Sequence, residues 1–289
     1  MRRIRTIAVL PVMLTIGNLI CGFFAIVVAS RIDPRLDPAE SRVWVDNANM
    51  LIATCLIFAA MVFDALDGQV ARLSHTTSDF GAQLDSLSDM VTFGVAPGFL
   101  MVKMCPEFHF FDRPSSDVNS LFPGVQTVWI IAALFAACAA MRLARFNVES
   151  TDDDDHMHFN GLPSPAAAAT VASFGVMFWA LRTGRTWWLE YLPDGIDVDR
   201  ILQGTLPFFA GVVALLMVSR IPYPHIVNQF VRGHRSFSHV VRMVFILMAA
   251  LVTLPFSIPV VCCFFVLASP LRYVWEELVQ RRSHEEPLF

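Results

Sequence analysis

The chain has 289 residues, of which 55% are hydrophobic and only 16% charged, with a formal net charge of −4. A mean hydropathy of +0.56 and 25 phenylalanines are the profile of a polytopic membrane protein and exclude an ordinary soluble α/β enzyme. No basic cluster interleaved with aromatics is present, so nucleic acid is not an expected partner, and the six cysteines lack any C-x2-C spacing and read as packing residues.

Apolar runs of about 20 residues predict an all-α chain with about eight transmembrane helices. In order they fall near 9–30, 48–72, 81–103, 123–146, 162–183, 203–220, 238–254 and 257–278. Arg2, Arg3 and Arg5 precede the first run, and with no clear small-residue cleavage site it reads as a retained signal-anchor. Asn18 is a polar group inside that span whose partner the sequence does not identify. The second run is long enough to carry its aspartates to an interface. The last two are separated only by Pro255 and Pro259, which mark either a turn or a kink. Six spans make a first unit, 1–220. Residues 221–289 add a basic loop, two further spans and a short tail.

Orientation follows the basic residues. One alternating set of ends holds Arg2, Arg3, Arg5, Arg72, Arg142, Arg145, Arg220, Arg232, Arg235, Arg242, Arg272, Arg281 and Arg282, which is 13 of the 21. The other eight are Arg31, Arg35, Arg42, Lys103, Arg113, Arg182, Arg185 and Arg200. Both termini and the loop between the second and third spans are therefore expected on the cytoplasmic side.

That loop joins the two halves of a dense acidic segment. Asp64 and Asp67 stand i,i+3 on one helix, with Gly68 and Ala71 beside them; Gly81, Asp85 and Asp89 follow at i,i+4 steps on the next. A tight turn near His75–Ser78 would aim all four carboxylates into one pocket. Carboxylates cost roughly 3 kcal/mol each near hydrocarbon, so something must compensate them. A pair of salt-bridged helices is the plain alternative, but the segment offers four aspartates against Arg72. An oxygen-only anionic pocket suits Mg²⁺ or Mn²⁺, as two ions, the usual apparatus for displacement at a phosphate.

The segment reads D-x2-D-G-x2-A-R-x8-G-x3-D-x3-D with every fixed position filled, and it resembles the signature of the CDP-alcohol phosphotransferases. The resemblance implies a membrane enzyme that moves a phospho-alcohol unit from a cytidine diphosphate donor to a hydroxyl. It implies Asp64, Asp67, Asp85 and Asp89 as metal ligands, with Asp89 also the general base. Gly68, Ala71, Arg72 and Gly81 would lie against the nucleotide and its diphosphate.

Three further segments, FGVAPG at Phe93–Gly98, RLARFN at Arg142–Asn147 and GLPSPAA at Gly161–Ala167, together resemble the phosphatidylserine synthases of the membrane-embedded type. With VSRIPYP at Val218–Pro224 the likeness covers roughly residues 9–220. It implies CDP-diacylglycerol and L-serine as substrates, a bacterial inner membrane, and a homodimer. Serine carries a carboxylate, and Arg142 and Arg145, one turn apart with Asn147 beyond, are candidates to hold it. On spacing alone the two arginines are equally positive-inside anchors. A sister transferase using glycerol 3-phosphate or choline stays open, as does a divalent-cation transporter. Asp152–Asp155 with His156 and His158 read as a solvated loop. His225, His234 and His239 with Arg232 and Arg235 suit anionic head groups. Trp187, Trp188 and Tyr191 suit an interfacial belt.

Overall fold

The computed structural model describes residues 9–33, 43–74, 79–106, 127–149, 161–184, 197–221, 223 and 254–284. The expected span at 238–254, the acidic run at Asp152–Asp155, the basic loop around His225–His239, and Trp187, Trp188 and Tyr191 lie outside those residues. Within them every regular element is helical: α1 (Val9–Ser30), α2 (Val43–Ser74), α3 (Asp79–Asp89), a π-helical turn at Met90–Val95, α4 (Ala96–Met104), α5 (Thr127–Glu149), α6 (Ser164–Arg182), α7 (Val198–Val218) and α8 (Leu254–His284). Among the described residues seven helical segments are long and apolar enough to cross a bilayer, with α3 and α4 counted together, so the chain is an integral membrane protein.

The apolar pattern decides which helices are central. In the spans of α3–α4 and α6, 61% of the most apolar window is buried, against 28% for α1, α2 and α5. The outer helices turn Phe23, Phe24, Trp129, Ile130 and Leu215 outward, where lipid replaces protein. The interior is made by small and flexible side chains: Ala53, Ala96, Ala139, Ala167, Ala172 and Ala210 pack with Met50, Met101 and Met217. Small residues let helix backbones approach when lipid offers no hydrophobic drive for association. At Gly98 an added Cβ would stand 3.1 Å from the Ala132 carbonyl oxygen, so α5 runs almost in contact with α4.

The third span, expected as one helix, is interrupted. Pro97 has no N–H and its ring crowds the carbonyl of residue 93, which an undistorted α-helix does not tolerate. The chain answers with the π-turn, where the Ala96 N–H bonds to Val91 O. Pro259 and Pro270, by contrast, both sit inside α8, so the Pro255–Pro259 stretch is neither a turn nor a break. α8 rests on α6, and the Tyr223 hydroxyl donates to Val266 O at 3.1 Å.

One end of the bundle is closed by ordinary polar links. Arg182 pairs with Asp199 at 2.9 Å, Gln203 donates to the same carboxylate at 2.6 Å, and Lys103 Nζ donates to Ile32 O at 2.9 Å. The opposite end is held by the loop before α6. Gly161 has φ 97°, and its N–H bonds to Ile221 O at 2.9 Å while Leu162 N–H bonds to Leu216 O at 3.1 Å. A Cβ on Gly161 would lie 2.6 Å from Met217 O and 2.8 Å from Ser219 O. Gly161→Ala is therefore expected to destabilise the protein by about 2–4 kcal/mol through left-handed strain plus this clash. The thermal midpoint in detergent measures it, and a midpoint equal to wild type would remove the strap from the fold's account.

Candidate active site

The Gly161 strap, the last turns of α2 and α5 and the first turns of α1 and α3 meet at the same end of the bundle. α2, at 32 residues, spans about 48 Å at 1.5 Å per residue, so its aspartates reach past a ~30 Å hydrocarbon layer. Asp64 and Asp67 face α3, which returns antiparallel and brings Asp85 opposite them. One carboxylate oxygen from each of Asp64, Asp67 and Asp85 lies within 4.8 Å of the other two. At that spacing two unit charges repel by about 3–4 kcal/mol even at an effective dielectric of 20. A fold does not hold three such groups together for stability.

Each carboxylate is placed differently. Asp67 accepts a hydrogen bond from Thr15 Oγ1 at 3.0 Å, and that hydroxyl shares its proton with Pro11 O, also at 3.0 Å. Asp89, one turn beyond the tight set, accepts from Asn18 Nδ2 at 3.0 Å. Asp85 Oδ1 is buried and has no hydrogen-bond partner. A buried carboxylate oxygen without a donor, beside two more carboxylates, fits a bound hard cation. The donor set is oxygen only, which suits Mg²⁺ or Mn²⁺.

A fixed cation stands nearby. Arg142, on the last turns of α5, donates from Nη1 to Ser164 Oγ at 2.7 Å, and Ser164 is fully buried at the start of α6. Its guanidinium interacts electrostatically with Asp64 and Asp89. The two segments RLARFN and GLPSPAA are thus one contact in three dimensions. Asn147 lies further along α5 and exchanges hydrogen bonds with Ser86 Oγ, at 2.9 Å as donor and 3.2 Å as acceptor. Arg142, held by Ser164, therefore lends positive field to the carboxylates, whereas Asn147 joins α5 to α3. Gly68 and Gly81 are partly exposed on the facing ends of α2 and α3. Arg145 is partly exposed on α5; Ala71 and Arg72 lie on α2, their side chains outside the described residues.

Sequence reasoning left Asn18 without a partner and passed over Thr15, Ser86 and Ser164. One signal was available: Thr15 and Asn18 are polar residues at i,i+3 in an otherwise apolar helix, a spacing that puts both on one face. Their reach to Asp67 and Asp89 depends on how α1 packs, which no local pattern states.

A family model described as CDP-alcohol phosphatidyltransferase matches residues 8–216, and the chain belongs to that family. Among curated relatives, the CDP-diacylglycerol--serine O-phosphatidyltransferase of Helicobacter pylori strain J99 is 34% identical over 63% of this chain and 64% of the relative. The enzyme of the same name from Methanocaldococcus jannaschii is 34% identical over 63% of this chain and 68% of the relative. The archaetidylserine synthase of Methanothermobacter thermautotrophicus is 29% identical over 78% of this chain and 73% of the relative. The match to the Helicobacter protein thus spans a little under two thirds of that relative's length.

The converging oxygens make a direct expectation. Asp64→Asn, Asp67→Asn and Asp85→Asn should each weaken Mn²⁺ binding, read by electron paramagnetic resonance, by more than the roughly 10–100-fold typical of losing an outer-shell partner. Wild-type Mn²⁺ affinity in all three would mean that the set is not a cation site.

Proposed function

We propose that this CDP-alcohol phosphatidyltransferase family member transfers the phosphatidyl group of CDP-diacylglycerol to the hydroxyl of L-serine, giving phosphatidylserine and CMP. The observation that supports the proposal is the Arg142 guanidinium, fixed by Ser164 Oγ within electrostatic range of Asp64 and Asp89. Such a cation suits the carboxylate of serine at the reacting end of the site. The names of the relatives point to the same donor and acceptor. A transporter reading loses ground, because the acids gather at one end of the bundle and the family is one of transferases.

In this reading Asp64, Asp67, Asp85 and Asp89 hold two divalent cations, whose contribution is to neutralise charge on the diphosphate. The serine hydroxyl oxygen bonds to the phosphorus that carries the diacylglycerol, and the bond from that phosphorus to the CMP oxygen breaks. Asp89 takes the hydroxyl proton. CMP departs with the electron pair. Arg142, with Arg145, orients the serine carboxylate, and Asn147 fixes the end of α5 against Ser86. Gly68, Ala71 and Gly81 leave room for the nucleotide, and Arg72 binds its phosphate oxygens. The thirteen-to-eight distribution of basic residues puts this end of the bundle in the cytoplasm, where a cytidine nucleotide is found, and we assign the chain to a bacterial inner membrane. We assign the transferase unit to residues 1–220 and the addition to 221–289, and we expect a homodimer.

Purified protein given CDP-diacylglycerol and a panel of alcohols should release CMP fastest with serine, slowly with ethanolamine, and not at all in excess chelator. Glycerol 3-phosphate outrunning serine would overturn the acceptor assignment and leave the transferase class intact. Choline leading would do the same.

A second set of measurements tests the arginines. Arg142→Ala and Arg145→Ala should each raise the serine KM about tenfold to a hundredfold, the range for a charge-assisted hydrogen bond, with a much smaller change for CDP-diacylglycerol. If both weaken the donor and spare serine, the guanidinium groups belong to the diphosphate.

A further inference from the structure

α1 lies outside the acidic segment, yet it touches both halves of it. Thr15 bonds Asp67 of α2 and Asn18 bonds Asp89 of α3. The contact is returned through the α1 backbone: Ser88 Oγ donates to Thr15 O at 3.2 Å, and Thr92 Oγ1 donates to Asn18 O at 3.3 Å. Gly22, one turn further, leaves no room for a Cβ against Thr92, so α1 runs in close contact with the π-turn there. Asp89 is the last residue before that turn, where the backbone leaves α-helical pitch. The hydrogen-bond partner of its side chain comes from another element, the amide of Asn18 on α1.

Asn18 is a costly choice for a purely structural residue. It is fully buried, and its Oδ1 has no hydrogen-bond partner. Leaving a buried acceptor unpaired costs about 1–3 kcal/mol, which a leucine of similar size would avoid. Nor can the amide turn over to cure this, because Oδ1 would then face the Asp89 carboxylate. The side chain thus gives up one hydrogen bond to keep its N–H on Asp89.

We propose that Asn18 is a positioning residue for turnover: its amide N–H fixes Asp89 Oδ1 and with it the carboxylate plane, so that Oδ2 takes the proton of the attacking hydroxyl while the shared cation rests chiefly on Asp64, Asp67 and Asp85. Thr15 does the lesser, separate task of steadying Asp67 within the cation set. The inference rests on the transferase reading above, with Asp89 as base, but not on which alcohol is the acceptor.

The test uses full-length protein in detergent and whichever alcohol the panel ranks first, so failure of the serine assignment leaves it standing. Asn18→Leu should lower kcat about 100-fold, the scale of a small misplacement of a reacting group. The KM for CDP-diacylglycerol and the affinity for Mn²⁺ with CDP should both stay within about threefold of wild type. Asn18→Gln, which keeps an amide one methylene further out, should recover about tenfold of that loss with binding equally unchanged. Thr15→Val should show the opposite split, with weaker Mn²⁺ and CDP binding and a smaller change in kcat. A wild-type kcat in Asn18→Leu overturns the proposal. So does a fall in Mn²⁺–CDP affinity that matches the fall in kcat, since Asn18 would then support the cation site. If Asn18→Leu does not yield folded protein, Asn18→Gln decides alone: about tenfold lower kcat with unchanged Mn²⁺–CDP affinity supports the proposal, and an unchanged kcat overturns it.

Discussion

Three carboxylates whose oxygens lie within 4.8 Å of one another, with a fourth one turn away, repel in a setting that screens them poorly. Nearly every unusual feature at that end of the bundle can be traced to this repulsion. Thr15 and Asn18 each lend a donor to one aspartate, and Arg142 adds a positive field held in place by Ser164. Asp85 keeps a buried oxygen with no donor. A carboxylate set of this kind fits a hard cation, the feature of a site kept for function.

The other end of the same bundle shows what the chain does when stability alone is at stake. Arg182 meets Asp199 directly, Gln203 shares that carboxylate, and Lys103 takes up a helix-terminal carbonyl. Opposite charges are matched there, although Gln203 Oε1 is buried without a hydrogen-bond partner. The contrast lies within a single set of helices, since α4 and α6 end and α7 begins in the charge-matched cluster, while α6 begins and α7 ends beside the acidic one. Polar residues buried in a membrane protein are costly at either end, but only one end leaves charge of a single sign assembled.

Segments that looked separate along the chain act together through α5 and α6. RLARFN supplies Arg142 to Ser164 of GLPSPAA and Asn147 to Ser86 of the acidic segment. The positive φ of Gly161 anchors the loop that presents Ser164. Small residues along α4 and α6 let these helices approach closely enough for such short side chains to meet.

The sequence by itself determined that the chain is all helical and crosses a membrane, because apolar length and the absence of polar breaks are local properties. It also pointed to one pocket for Asp64, Asp67, Asp85 and Asp89 from i,i+3 and i,i+4 spacing on successive helices, and the structure gathers the first three within 4.8 Å and leaves Asp89 one turn beyond. The π-turn was not anticipated in the span at 81–103: Pro97 was the one local signal for it, and whether the helix would kink, end or bulge depended on α1 and α5 packed against it. Asn18 shows the limit most plainly. Its polarity was visible in the sequence, yet its partner stands 71 positions away on a helix that α1 meets only after packing. Tertiary structure alone decided that Asp89 is held by α1 and that Arg142 stands beside the acids, since side-chain hydrogen bonds between distant helices follow from interhelical approach and leave no periodic trace in the chain.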